Sequence, residues 1–330
     1  MNLNFSIIIP VYNRPDELDE LLSSIASQHF KEDFEVLVIE DGSNLTAKHI
    51  VDSFKDAFDI NYLTKDNSGP GLSRNFGMQH ANGNYFIILD SDCILPENYL
   101  AIVSDRLSNS FTDAYGGADA AHTSFTKIQK AINYAMTSVL TTGGLRGNKN
   151  LKKFQPRSFN MGLSKRAFEK TGGFNAMRFG EDINLTFRLW ENNFETQFIE
   201  EAYVYHKRRV SWKSFFKQTF NFGAARPILN KLHPNTAKIT YWFPSVFVIG
   251  FILSTIGLLF NFKWFISLFS IYLILILLDS FIKSKNIVVA FLSIWATLVM
   301  FFGYGLGFLR SKVKLLVGKS PKQAFPEMFR

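Results

Sequence analysis

The chain has one cysteine, Cys93, in 330 residues, so no disulfide can form within it and a reducing compartment is its expected setting. With no companion base nearby in sequence, Cys93 reads as a small buried apolar side chain rather than a nucleophile. Residues 1–10 hold too short an apolar run, too soon interrupted, for a secretory signal, which leaves the front of the chain expected in the cytosol. Acids are scarce in the last third. From Tyr241 onward there are nine basic residues and two acids, Asp279 and Glu327, so +7 of the formal +8 sits there and +1 in front. A nearly neutral front carries no nucleic-acid footprint. Bases bunched beside apolar runs fit anionic headgroups and retention on the cytoplasmic side instead. There is no repeat of solenoid period and no low-complexity tract.

What is present divides the chain. Short apolar runs at 5–10, 34–39, 60–64 and 85–89 read as strands, with helical spacing at 14–28, from Ser43 or Asn44 as cap to 58, and at 72–80. Strands alternating with helices predict an α/β fold around a buried, largely parallel sheet. In such sheets ligands sit at the carboxyl ends of the strands. The polar clusters fall there: Val11-Tyr12-Asn13, Glu40-Asp41, Lys65-Asp66-Asn67 and Asp90-Ser91-Asp92. The last third differs. Stretches 241–260, 264–282 and 287–309 each approach the roughly 20 residues that cross a bilayer, with Trp242, Trp264 and Tyr304 near their ends. Three full crossings would leave the basic tail outside, against the positive-inside tendency, whereas one segment dipping into or lying along the bilayer would not; both arrangements fit the sequence. Trp212, Phe215, Phe216 and Phe220 form a stripe with Lys213 and Lys217, suited either to the membrane face or to a protein core.

Asp90-x-Asp92 at a strand end offers two carboxylates to a hard cation, and Mg2+ or Mn2+ completes its shell with phosphate oxygens. Glu181-Asp182 opens a helical run, 183–190, and offers a base that takes a proton from an acceptor hydroxyl. His206 ends an apolar run and leads into Lys207-Arg208-Arg209, three cations able to grip a diphosphate. For His206 itself, phosphate binding and a third metal position are both open. Arg74, near the start of the 72–80 helix, is a further phosphate candidate.

Together the motifs resemble the family 2 glycosyltransferases of GT-A fold, a Rossmann-like mixed sheet. The resemblance runs through Ile7-Ile8-Ile9-Pro10-Val11-Tyr12-Asn13, Val38-Ile39-Glu40-Asp41-Gly42-Ser43 and Gly71-Leu72-Ser73-Arg74-Asn75. It continues through Leu89-Asp90-Ser91-Asp92, Asn160-Met161-Gly162, Gly172-Gly173-Phe174, Gly180-Glu181-Asp182 and Val204-Tyr205-His206. The resemblance implies an inverting, metal-dependent transfer from a nucleotide-diphosphate sugar, with UDP-sugars favoured. It implies that Pro10, Val11, Tyr12, Asn13, Asp41 and Asp66 line the base and ribose, and that Arg74, Asp90 and Ser91 help hold the donor. It makes Asp92, with His206 beside it, the metal position and Asp182 the general base, and sets Asn160, Met161, Gly162 and Glu181 toward the acceptor. Where related processive synthases carry glutamine, two residues, then arginine-tryptophan, this chain has Gln218 and only later Arg226-Pro227. Single-sugar addition is therefore expected.

The sequence thus predicts a GT-A catalytic domain over 1–210, an interfacial connection over 211–240 and a membrane region over 241–330 with two or three transmembrane helices. The expected activity is transfer of one sugar to a hydroxyl of a lipid-linked saccharide for a cell-surface polysaccharide, at the inner face of the cytoplasmic membrane. A polyprenyl-phosphate acceptor is one alternative. A non-catalytic scaffold that binds nucleotide sugars is another.

Overall fold

The computed structural model describes residues 3–120, 122, 124–143, 153–207 and 210–329. In chain order the elements begin β1 (Phe5–Val11), α1 (Pro15–Ala26), β2 (Phe34–Asp41), α2 (Lys48–Ser53), β3 (Asp59–Lys65), α3 (Pro70–His80), β4 (Tyr85–Leu89), β5 (Cys93–Ile94) and α4 (Tyr99–Asn109). They continue with β6 (Ala114–Ala120), α5 (Lys127–Thr137), α6 (Val139–Thr142), β7 (Asn160–Ser164), α7 (Lys165–Thr171), α8 (Glu181–Glu191) and β8 (Thr196–His206). The remaining helices are α9 (Trp212–Leu232), α10 (Phe243–Leu258), α11 (Trp264–Ser284), α12 (Ile287–Leu316) and α13 (Pro321–Ala324).

Two compact units result: Met1–His122 with Gly147–Lys207 and Glu327–Arg330, and Thr123–Arg146 with Arg208–Pro326. The first is built on an eight-stranded sheet of order β3-β2-β1-β4-β7-β6-β8-β5. β3, β2, β1 and β4 run parallel, and β7 enters antiparallel to β4, so the sheet is mixed rather than largely parallel. Every residue of β1 and β4 is buried, which is why both read as unbroken apolar runs in the sequence. Pro15 sits in the first turn of α1 with Asp16 and Glu17, and Leu18, Leu21, Leu22 and Ile25 turn one face to the sheet. A Cβ on Gly162 of β7 would come within 2.0 Å of the Tyr115 ring, so only glycine lets that ring lie across the strand. The final residues rejoin this unit. Met328 is 1% exposed and its carbonyl accepts a 2.8 Å hydrogen bond from the Arg178 amide.

The helix expected from Ser43 or Asn44 to 58 is only α2, and neither residue caps it. The reason is local. The Asn13 carboxamide takes the amides of Asn44 and Leu45 at 2.8 and 3.0 Å, and Glu40 takes that of Ala47 at 2.8 Å, so this stretch is held as a loop.

In the second unit α9 and α12 pack along their length through small residues. A Cβ on Gly307 would lie 2.1 Å from the Phe220 carbonyl oxygen. Phe215, fully buried, and Trp212 join a cluster with α5 and α12, so these two residues of the stripe face protein, while Phe216 is exposed. Among the described residues three helical stretches are long and apolar enough to cross a membrane: Ile239–Leu258, Trp264–Ser284 and Ile287–Leu316. Their outward faces are apolar and open, with Trp264 at 85% exposure. α11 and α12 are tied by a 2.8 Å bond between the Ser280 and Ser293 hydroxyls. Asp279, beside them, accepts from Tyr134 at 2.6 Å and Ser138 at 3.1 Å and pairs with Lys283 at 2.9 Å, which fixes α5 and α6 to α11.

Candidate active site

The four parallel strands bring the polar clusters to one rim because their carboxyl ends all point the same way. At the end of β1, Tyr12 is half exposed and Asn13 takes φ 55°, a left-handed conformation that asparagine tolerates. Asn13 binds the loop after β2 through both its side chain and its amide, which donates to Ser43 Oγ at 2.8 Å. Pro10 and Val11 are buried under the rim. Asp41, at the end of β2, accepts from the Ser68 and Gly69 amides, each at 2.9 Å, and from Lys65 Nζ at 2.7 Å. Burial works to raise its pKa, but the Lys65 ammonium and the Ser68 amide outweigh that and hold it below the usual carboxylate range. Asp41 thereby shapes the loop that leads into α3, while Asp66 on that loop is exposed. Glu40 is also occupied, accepting from Ser43 and from Tyr62 at 3.0 Å.

The two acidic motifs meet through one arginine. Arg74 of α3 is 2% exposed, and its guanidinium reaches Asp90 Oδ1 at 2.6 Å and Glu181 Oε1 at 3.3 Å. Phe174 lies beneath it, 5.2 Å from its centre. Desolvation would release the Arg74 proton, but Asp90 and Glu181 more than compensate and the cation is held firmly. Glu181 is buried at the start of α8, and burial first, then the Asp182 carboxylate, lifts its pKa from 4.5 to about 8 against the pull of Arg74. Asp182 accepts the Ile183 amide at 2.7 Å and faces Arg157 at 3.6 Å.

Asp92 forms the other focus. Its Oδ1 lies 3.2 Å from His206 Nε2 and its Oδ2 lies 3.3 Å from Arg14 Nη1. β5 pairs antiparallel with β8 in a register that sets Cys93 opposite His206, which brings the histidine back to the Asp90-Ser91-Asp92 turn. Ligand atoms of Asp92, Cys93 and His206 lie within 4.8 Å of one another. Burial pushes the Cys93 thiol well above its usual pKa, and that thiol points to the Phe159 carbonyl at 3.4 Å, so Asp92 and His206 are the pair suited to a hard or borderline cation. Ser91 is buried between the two aspartates. Of the basic run after His206, Lys207 pairs with Glu20 at 2.6 Å, and Arg208 and Arg209 lie outside the described residues.

Asn160, Met161 and Gly162 lie inside β7 and are buried. Asn160 accepts from the Tyr99 hydroxyl at 2.6 Å and donates to the Ala202 carbonyl at 2.8 Å, a task of holding β7, α4 and β8 together. Two site residues escaped the sequence reading. Arg14 had been read only as the start of a helix, and Arg157 lies in an irregular stretch; their acidic partners are 78 and 25 residues away, beyond any local pattern.

Known proteins resemble this chain in sequence and fold. A family model described as "Glycosyl transferase family 2" matches residues 6–172, and one described as "Glycosyl transferase family group 2" matches residues 158–308. An uncharacterized glycosyltransferase of Rickettsia bellii is 33% identical over 144 residues, 43% of this chain and 19% of that protein. The chain thus matches about a fifth of that relative's length. The GalNAc(5)-diNAcBac-PP-undecaprenol beta-1,3-glucosyltransferase of Campylobacter jejuni is 24% identical over 229 residues, 67% of this chain and 68% of that one. Among solved structures, the mannosyltransferase PcManGT of Pyrobaculum calidifontis, in complex with GDP-Man and Mn2+, superposes with a TM-score of 0.61. It covers 94% of this chain and 88% of that one at 15% identity, a likeness of fold, and the fold is GT-A. With a family model spanning half of its length and the acidic motifs gathered on one GT-A rim, the chain belongs to glycosyl transferase family 2.

Proposed function

We propose that the protein transfers one sugar from a nucleotide-diphosphate sugar to a hydroxyl of a lipid-linked saccharide, with inversion, at the cytosolic face of the membrane. The observation that carries this reading is Arg74, which ties Asp90 to Glu181 and so brings the donor and acceptor motifs to one point of the rim. Tyr12, exposed at the strand end, offers a face to the nucleobase, with Pro10, Val11 and Asn13 behind it and Asp41 and Asp66 toward the ribose. Arg74 and Asp90, with Ser91 between the aspartates, set the charge that faces the diphosphate.

Asp92 and His206 would hold Mg2+ or Mn2+, and the closeness of their ligand atoms fits such an ion. Bound there, the ion offsets the charge that grows on the departing nucleoside diphosphate. Arg14 pairs with Glu17 at 2.6 Å and with Asp92 at 3.3 Å, and sits where it would meet a donor phosphate. On the acceptor side, Asp182 accepts the proton of the attacking hydroxyl, and Arg157 holds its carboxylate in place. Burial and the neighbouring Asp182 lift the Glu181 pKa to about 8, which keeps Glu181 protonated near neutral pH. Direct attack opposite the leaving group needs no enzyme nucleophile and inverts the anomeric carbon.

The lipid-linked acceptor rests on the apolar helices that would anchor the site at a bilayer, and on the acceptor in the name of the Campylobacter relative. The proposed division is a catalytic domain over 1–210, a connection over 211–240 and a membrane region over 241–330. The test is release of nucleoside diphosphate by membranes carrying the protein, with a panel of nucleotide sugars, host lipid extract and Mn2+ or Mg2+. Asp92→Ala and Asp182→Asn are run beside wild type. Release that needs lipid and metal and disappears in both variants supports the reading. Loss in Asp92→Ala alone points to a phosphate acceptor, which needs no base. A donor that binds without turnover under every condition refutes catalysis and leaves a nucleotide-sugar-binding scaffold.

A further inference from the structure

The helical unit contains a groove that sugar transfer does not explain. It is open, holds about 560 Å³, and is walled by the end of α9, the chain entering α10 and the end of α12. Lys231, Lys238 and Lys312 line it, and no acid does. Among the described residues none of the three is paired with a carboxylate; Lys312 Nζ rests 6.0 Å from the centre of the Trp242 ring. Three unneutralised ammonium groups around one cavity repel one another and gain from an anion placed between them.

The rest of the lining is apolar, with Trp242 and Phe308 forming an edge-to-face pair 4.8 Å apart. Ile239 at the mouth is 87% exposed, an apolar surface that a soluble anion would leave wet. The groove therefore joins positive charge to apolar wall. Its position supplies the third term: Lys238 immediately precedes one apolar stretch and Lys312 lies in the last turns of another. That is where tryptophan and lysine anchor helices to the headgroup layer.

We infer that this groove binds the phosphate headgroup of an anionic membrane lipid, with the lysines on the phosphate and the upper acyl chain along Trp242 and Phe308. The site is separate from sugar transfer, and its test reads binding alone. The purified full-length chain in neutral detergent is titrated with phosphatidylglycerol, phosphatidylcholine and free pyrophosphate, and bound copies are counted by native mass spectrometry. Brominated phosphatidylglycerol serves as a second probe, quenching a tryptophan signal that Trp242→Phe removes. Phosphatidylglycerol is expected to bind in preference to the other two. The combined Lys231→Gln, Lys238→Gln, Lys312→Gln variant should lose about fivefold for each lysine, on the order of a hundredfold together. The same three positions changed to arginine should retain binding, which separates charge from misfolding. Lys263, Lys285 and Lys319 changed to glutamine should leave it unchanged, which separates a site from general surface charge. Equal binding of phosphatidylcholine, equal competition by pyrophosphate, or an unaffected groove variant would each overturn the assignment.

Discussion

The buried carboxyl of Glu181 makes a prediction with a definite sign. Its pKa stands near 8 in the folded chain against 4.5 for the ordinary group. Between those values the folded protein holds one proton that the unfolded chain has released. Stability must therefore fall as pH rises through that interval, by up to about 1.4 kcal/mol per unit. The ceiling over the whole interval, the Arg74 pairing already included, is roughly 5 kcal/mol. Glu181→Gln keeps the shape and abolishes the titration. The gap between variant and wild type should be small near pH 5 and widen in the variant's favour toward pH 8. At about 2–4 °C per kcal/mol for a domain of 150–250 residues, the gap should change by a few degrees per pH unit. Thermal unfolding of both proteins in one detergent, followed by intrinsic fluorescence from pH 5 to 8.5, measures it. A flat difference would refute the buried protonated carboxyl. A flat gap in wild type's favour would mean that Glu181 is an ionised partner of Arg74.

Further outcomes follow from the same rim. Mn2+ with nucleoside diphosphate at a hundred times its Kd should stabilise wild type by about 2.7 kcal/mol, and neither Asp92→Ala nor His206→Ala should show that gain in a thermal-shift assay. Equal shifts in all three proteins would remove the ion from this pair. Arg157→Gln should lower turnover on the order of ten- to a hundredfold with donor affinity unchanged, because the base loses its fixed position; unchanged turnover would show that Asp182 is held without it. Gly162→Ala should cost about 1–3 kcal/mol, read by thermal unfolding, since its methyl group meets the Tyr115 ring. A neutral result would mean that β7 has slack the packing does not show.

The parts of the fold that were legible in sequence are those where one physical cause dominates. β1 and β4 are buried on both faces, so their apolar runs stood out, and Asp90 marked the end of β4 because the chain leaves the core there. Helix α2 was overread because spacing cannot show that Asn13, thirty-one residues away, takes the Asn44 amide. Asp41 looked like a ligand-facing acid, and its use in shaping the 65–69 loop depends on β3 lying beside β2. Asn160 is set toward the acceptor by the resemblance, and its bonds to Tyr99 and Ala202 depend on α4 and β8, which no local pattern shows. Arg14 and Arg157 carried no periodic signal at all. The helices α5 and α6 interrupt the α/β stretch yet belong with the apolar helices, a membership set by Tyr134 and Ser138 binding Asp279.

Met328 has a consequence for how the chain can be threaded through a bilayer. The chain leaves the sheet unit at Lys207 and is back in it at Glu327, where Met328 is buried and bonded to Arg178. A strand of chain that departs from a folded body and returns to it ends on the side where it began. Any complete bilayer passages made between those points would therefore be even in number. Among the described residues three stretches, Ile239–Leu258, Trp264–Ser284 and Ile287–Leu316, are long and apolar enough to pass, so an even passage count would leave one of them short of a full crossing.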